Sequence, residues 1–263
     1  MTTLADQTIA ALRSGHDALA AFVRELGPDD LMKPSGASEW QISQVLSHLG
    51  SGAEIGLAAL TAALAGEPTP GGDFNRQVWA RWDAMPPAEQ TSGFLAANQR
   101  LVEAYEALDP ATRANLRVDL GYLPAPVDVA TAARFRLSEL TLHQWDVEVG
   151  FNPYATLTPE AVGLLFDHIA GMLGWTARPE TLGGRQATLT VRLHKPDRTY
   201  GLRLGERVEL TDAPEQADGE LDAPAEAWLR LAVGRLGPRH TPEDVRVTGP
   251  LSLDDLRALF PGF

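Results

Sequence analysis

Apolar residues recur at helical spacing through the first half of the chain. Leu4, Ile9, Leu12, Leu19, Phe22, Val23 and Leu26 predict a long helix over residues 3 to about 26, stopped by Gly27-Pro28-Asp29. A second helix is predicted from about 42 to 65, where Val45, Leu46, Leu49, Ile55, Leu57 and Leu60 repeat until Gly66-Glu67-Pro68 breaks the pattern. Residues 66 to 86 are rich in Gly and Pro but hold Phe74, Trp79 and Trp82, so they read as a long connection with a short helical piece. Pro86-Pro87-Ala88 then opens a third helix, with Phe94, Leu95, Leu101, Val102, Tyr105 and Leu108 carrying it to Asp109-Pro110. A fourth, from about 128 to 149, follows the Pro-containing GYLPAP and is closed by Gly150. Long helices with this spacing predict an antiparallel bundle.

Beyond residue 150 the pattern changes. Thr158-Pro159-Glu160 supplies an N-cap and a proline at the first helical position, leading into AVGLLFDHIAGMLGW. QATLTVRLH then alternates Leu189, Val191 and Leu193 with Thr188, Thr190 and Arg192, the pattern of a half-buried strand. TYGLRL and RVEL continue in the same style across a Gly-Glu turn. A helix at about 224 to 234, a strand in DVRVTG, and a last helix opened by Ser252 with Asp255 three residues on complete an α+β pattern. The change in period puts a boundary near 150 to 157.

Composition narrows the function. At 263 residues, 44% hydrophobic and 22% charged, the chain is of ordinary globular make-up and long enough for one large domain or two smaller ones. Its 22 basic and 35 acidic residues leave a formal charge of -13, and no Lys/Arg-rich run interrupts this, which argues against nucleic acid as a partner. The N-terminal stretch lacks a basic segment followed by an apolar core, and no apolar run is long enough to span a bilayer, so a cytoplasmic location and no membrane partner are expected. There is no cysteine. Disulfides, thiolate metal ligands and a protein thiol nucleophile are thereby excluded, and any thiol chemistry must use an external low-molecular-weight thiol.

The candidate chemistry begins with Glu139 and His143, which a helix places on the same face. His48, on the second predicted helix, offers a third ligand. Two neutral imidazoles and a carboxylate leave a divalent metal with net positive charge and open positions, which suits catalytic zinc and also non-haem iron. Each residue has a plainer reading. Arg136, Glu139, His143 and Asp146 also fit a solvated stripe of ordinary i,i+4 pairs, and His48 fits a core histidine bonded to a carbonyl. His16, His168, His194 and His240 offer no better set. Trp40, Trp79, Trp82 and Trp145 suit either a pocket wall or the core.

Three segments carry a family resemblance. EWQISQVLSHLGSGAE, with Trp40 eight residues before His48, and SELTLHQWDVEVG, with its Glu-x-x-x-His-x-x-Asp order, resemble the mycothiol-dependent maleylpyruvate isomerase family of DinB-like proteins. The tail, AWLRLAVGRLG followed by VRVTGPLSLDDLRALFPGF, is similar to that family's C-terminal domain, so the likeness covers nearly the whole chain. It implies a DinB-like four-helix bundle over 1–152 and a smaller, sterol-carrier-like α+β domain over 153–263. It further implies a divalent metal, usually zinc, on His48, Glu139 and His143. Asp146 would support the metal-bound imidazole or position the thiol, with a helix-surface carboxylate as the plainer reading. Arg235 matches a functional arginine that would grip a substrate carboxylate, against a surface arginine near a helix end. The implied thiol is mycothiol, added to an electrophilic small molecule by a cis-trans isomerase or an S-transferase. A non-catalytic small-molecule-binding protein and a hydrolase using metal-bound water stand as alternatives, and either a monomer or a small homo-oligomer is compatible with the sequence.

Overall fold

The computed structural model describes residues 2–262, which form two compact units dividing between Asn152 and Pro153. The first unit is built on four long helices: α1 (Leu4–Arg24), α3 (Ile42–Ala65), α5 (Pro87–Glu106) and α7 (Val129–Glu148). Between them lie α2 (Pro28–Leu31), α4 (Gly72–Asp83), α6 (Pro110–Asn115) and a two-stranded ribbon of β1 (Arg117–Val118) and β2 (Val127–Asp128). The ends follow local chemistry. Thr3 Oγ1 accepts from the Asp6 N–H while the Asp6 carboxylate accepts from the Thr3 N–H, and Asp128 Oδ1 accepts from the Thr131 N–H. Gly66 ends α3 at φ +69°, a conformation open to glycine at little cost.

Each long helix packs on two others, α1 on α5 and α7, α3 on α5 and α7, so the ring order is α1, α5, α3, α7. Leu12, Leu19, Leu46, Leu49, Leu60, Phe94, Leu101 and Leu137 fill the centre. The segment expected to be a connection with a short helical piece is instead the three-turn helix α4, whose Trp82 indole packs against Gly50 and Gly93. Gly-Pro punctuation on both sides masks its modest apolar stripe of Val78 and Trp82.

A polar chain crosses the core of this unit. Asn98, fully buried on α5, accepts from Arg136 Nη2 at 2.6 Å through Oδ1 and faces His16 Nδ1 at 2.8 Å through Nδ2. Because the amide oxygen is used by the arginine, the amide nitrogen donates and His16 Nδ1 must accept, which requires a neutral ring at that nitrogen. Burial, aided by the charge of Arg13, lowers the His16 pKa in the folded state. The unfolded chain therefore takes up a proton below about pH 6.5 that the folded one refuses, and stability falls as pH drops through that value. Denaturant unfolding at roughly pH 8 and pH 5 should show this slope in the wild type and a flatter one in His16→Gln; equal slopes would contradict the assignment.

The second unit has α8 (Pro159–Thr176), then β3 (Ala187–His194), β4 (Arg198–Leu204), β5 (Val208–Thr211), β6 (Gly219–Pro224), α9 (Ala225–Ala232), β7 (Arg246–Thr248) and α10 (Leu253–Leu259). The sheet order is β5-β4-β3-β6-β7, with β3 and β6 parallel and the other pairs antiparallel. On β3, Ala187, Leu189, Val191 and Leu193 are buried and the intervening residues are not, matching the alternation read from the sequence. β6 went unread because it buries only Leu221 and Ala223 between an Asp-Gly pair and a proline. α8 and α9 pack together and against the sheet. Trp228 and Phe260 lie in the core, and Arg230 is buried in a two-pronged pair with Glu226 at 2.7 and 2.8 Å. The α10 start follows the sequence expectation, with Ser252 and Asp255 capping each other. Helical bundle followed by α+β unit is the fold class expected from the sequence. Among the described residues no helix is long and apolar enough to cross a membrane.

Candidate metal centre

His48 lies on α3 and Glu139 and His143 on the adjoining α7. The two helices bring the three side chains to one point, with one ligand atom from each lying within 4.8 Å of the others. His48 Nε2 is 2.8 Å from Glu139 Oε2, and His143 Nε2 is 3.7 Å from the same oxygen. Among the described residues no other trio of His, Asp and Glu side chains converges this closely. The imidazole rings meet edge to face at 4.6 Å between centroids.

Asp146, wholly buried one turn beyond His143, accepts from its Nδ1 at 2.8 Å. That bond holds the proton on Nδ1, so Nε2 turns its lone pair toward Glu139 and His48. Partial enclosure pushes the Glu139 carboxyl up, but the hydrogen bond from His48 and neighbouring charges, that of Arg136 among them, outweigh it and hold the pKa at about 2. Glu139 is thus a carboxylate at any physiological pH.

The loop between α2 and α3 roofs the cluster. Pro34 and Gln41 form a bridge, Ser35 N–H donates to Trp40 O at 3.0 Å, and Gly36 N–H donates to Asp146 O at 2.7 Å. A Cβ on Gly36 would lie 2.7 Å from Val149 and 2.9 Å from Trp145, so the close docking of this loop on α7 requires glycine. Its reward is Trp40, whose ring centroid sits 5.2 Å from that of His48 and 6.1 Å from that of His143.

The solvated-stripe reading of α7 is overturned. Arg136, His143 and Asp146 are buried, and only Glu139 of the four opens outward. Nor is His48 a core histidine bonded to a carbonyl, since its Nε2 partner is the Glu139 carboxylate. Arg136 proves to be a brace. Its Nη2 donates to Leu49 O at 2.8 Å, beside His48, and to Asn98, so one guanidinium ties the backbone of α3 to α5 from a position one turn before Glu139. Burial lowers its pKa to about 10, which still leaves a cation at neutral pH behind the Glu139 carboxylate. Asn98 and its bond to Arg136 escaped the sequence reading. The available signal was a polar residue on the apolar stripe of Phe94, Leu101, Val102 and Tyr105.

Of the tryptophans, Trp82 and Trp145 are core residues, while Trp40 and Trp79 line a cavity of about 530 Å³ that includes His48. Arg235 lies in the second unit, just past α9 in the turn after Gly234, half-buried, with its N–H donating to Arg230 O at 2.7 Å.

The donor set suits a divalent metal. If Asp146 orients His143, Asp146→Ala should weaken zinc affinity about 10–100-fold, with partial recovery in Asp146→Asn, which keeps an acceptor. Competition against a chromophoric chelator measures this, and unchanged affinity in both variants would contradict it.

Three comparisons bear on the chain. The family model described as mycothiol maleylpyruvate isomerase N-terminal domain matches residues 12–148. An uncharacterized protein of Mycobacterium tuberculosis, found in two strains, is 26% identical over 157 residues, covering 58% of this chain and 71% of the relative. Among solved structures, the crystal structure of the mycothiol-dependent maleylpyruvate isomerase superposes with a TM-score of 0.66 at 15% identity, covering 96% of this chain and 98% of that one. A histidine-to-alanine mutant of that enzyme gives 0.65 at 16% identity with the same coverage. These two establish likeness of fold.

Proposed function

Since the chain belongs to the mycothiol maleylpyruvate isomerase N-terminal domain family, we propose that it is an enzyme that adds mycothiol to an electrophilic small molecule, using a divalent metal, zinc, held by His48, Glu139 and His143. The observation that carries this reading is the convergence of two imidazoles and one ionised carboxylate, with the Asp146 carboxylate behind His143. A divalent metal in such a set supplies the positive charge that converts a thiol, with an ordinary pKa of about 8.5, to a thiolate at neutral pH. The chain has no cysteine, so the thiol comes from outside.

The protein's own groups have distinct tasks. Asp146 keeps the His143 proton on Nδ1 and so leaves Nε2 as the ligand atom. Trp40 closes one side of the imidazole pair and limits water. Arg136 fixes α3 beside His48. Arg235 is our candidate for binding a substrate carboxylate, because a guanidinium matches its two oxygens. In the reaction the thiolate forms a C–S bond at one carbon of a conjugated double bond, and the π pair moves to the neighbouring carbonyl as an enolate. Rotation about the new single bond and return of the pair expel the thiolate and leave the trans product, with no atom gained or lost. Protonation of the enolate instead retains the C–S bond and gives the S-transferase outcome.

The test follows mycothiol and product with maleylpyruvate and with simple electrophiles, with and without zinc. Zinc-dependent isomerisation, or zinc-dependent loss of mycothiol into an adduct, is expected. Turnover that needs no thiol, or none with any electrophile, would refute the reading.

A further inference from the structure

The metal cluster opens past Glu139, whose side chain is 50% exposed against 11% for His143. Trp40 stands over the two imidazoles, while Asp146, Arg136 and Asn98 are buried. The segment GYLPAP, punctuation before α7 in the sequence, lies between β1 and β2 and brings Tyr122 to that opening. Phe135 precedes Glu139 by one turn of α7, so the two side chains share a face, and the Tyr122 ring meets Phe135 edge to face at 5.8 Å between centroids. Glu139 is felt there: crowding around the ring, aided by the Glu139 charge, pushes the Tyr122 pKa up to about 12. The segment is anchored on both sides of this contact. Thr69 Oγ1 donates to Asp119 O at 2.8 Å, Asp119 Oδ1 accepts from the Gly121 N–H at 2.8 Å, and Gly121 takes φ +78°. Pro124 and Pro126 restrict the return to β2. Tyr122 is nonetheless 66% exposed, and its hydroxyl has no hydrogen-bond partner among the described residues. Its ring is held while its donor is left available.

Conjugate addition of a thiolate places negative charge on a carbonyl oxygen several bonds beyond the attacked carbon. A donor for that oxygen must therefore stand beside the thiol's position rather than in it, and it must offset the repulsion between the enolate and Glu139. A phenol, with an ordinary pKa of about 10, keeps its proton at neutral pH and serves as a donor rather than a base. We propose that Tyr122 is a further catalytic residue, donating its O–H to the carbonyl oxygen of the electrophile as the thiolate adds. This rests on the reading of the chain as a thiol-adding enzyme, and it deepens it by naming the electrophile class, an α,β-unsaturated carbonyl compound. The C–S bond forms, the π pair of the double bond moves to the oxygen, and the phenol proton stays on Tyr122 throughout. When the pair returns and the thiolate leaves, the hydrogen bond weakens again, and no atom passes to or from the phenol. The bond is strongest where the oxygen carries most charge, so it accelerates the step instead of tightening substrate binding.

The test is Tyr122→Phe, which keeps the ring and its contact with Phe135 and removes only the hydroxyl. With an α,β-unsaturated carbonyl electrophile, kcat should fall at least about 10-fold at unchanged KM. The loss should be smaller than the roughly 10²–10³-fold of an enclosed oxyanion donor, because water replaces part of the bond at an exposed position. With an alkyl halide, whose displacement by the same thiolate forms no enolate, Tyr122→Phe should match wild type. Zinc content and calorimetric affinity for mycothiol should also be unchanged, which places the loss at the electrophile. Tyr154→Phe, at another exposed tyrosine, should behave as wild type throughout. The proposal falls if Tyr122→Phe keeps full kcat with the unsaturated carbonyl, if both electrophiles slow equally, or if zinc or mycothiol binding is what is lost. Those three results leave the thiol-adding reading standing. Wild-type protein that adds thiol to neither electrophile overturns that reading, and the role of Tyr122 with it.

Discussion

His48→Ala and His143→Ala should each take metal content from about one zinc per chain to less than about one-tenth. The reason is the small number of ligands. Three protein atoms converge, and losing an imidazole leaves a carboxylate and one ring to hold the ion. The effect should exceed the roughly 10–100-fold expected at Asp146, which acts only through His143. Both histidines sit on helices whose packing is carried by other residues, so helical circular dichroism should remain unchanged. Elemental analysis of the purified variants measures the loss. Full occupancy in both would remove these residues from the metal site.

The second large effect is structural. Gly50→Ala places a Cβ 2.2 Å from the ring of Trp82, which also presses on Gly93 and donates through Nε1 to Glu54 at 3.0 Å. The indole cannot retreat without breaking that bond and moving α4 away from α3 and α5. Overpacking of this kind costs about 1–3 kcal/mol, and chemical denaturation should register it as a lower midpoint. A variant as stable as wild type would show that Trp82 is not held as tightly as the packing indicates.

These two sites differ in how far the sequence discloses them. The long helices were legible because periodicity, caps and Gly-Pro stops agree along α1, α3, α5 and α7. Glu139 and His143 were legible as a pair because a helix fixes their separation, whereas spacing alone says nothing about His48, 91 residues from Glu139; its place came from resemblance to a family. Periodicity also misjudged the environment of α7. Arg136, Glu139, His143 and Asp146 look like a solvated stripe, yet three are buried because the neighbouring helices and the Trp40 loop close over them. The Gly50–Trp82 contact was invisible for a related reason: a glycine inside a helix signals close approach without naming what approaches. Likewise β6 depends on pairing with β3 and β7 more than on its own two buried apolar residues.

Metal and external thiol meet at one point in this site, and one titration tests both. Mycothiol is titrated calorimetrically into zinc-loaded and chelator-stripped wild-type protein at about pH 7, in two buffers of different ionisation enthalpy. Free thiol is largely protonated at that pH, so binding as thiolate should release close to one proton per thiol. That release is expected only in the zinc-loaded protein, with affinity at least about 10-fold higher than in the stripped protein. Equal affinity in the two forms, or binding without proton release, would contradict it.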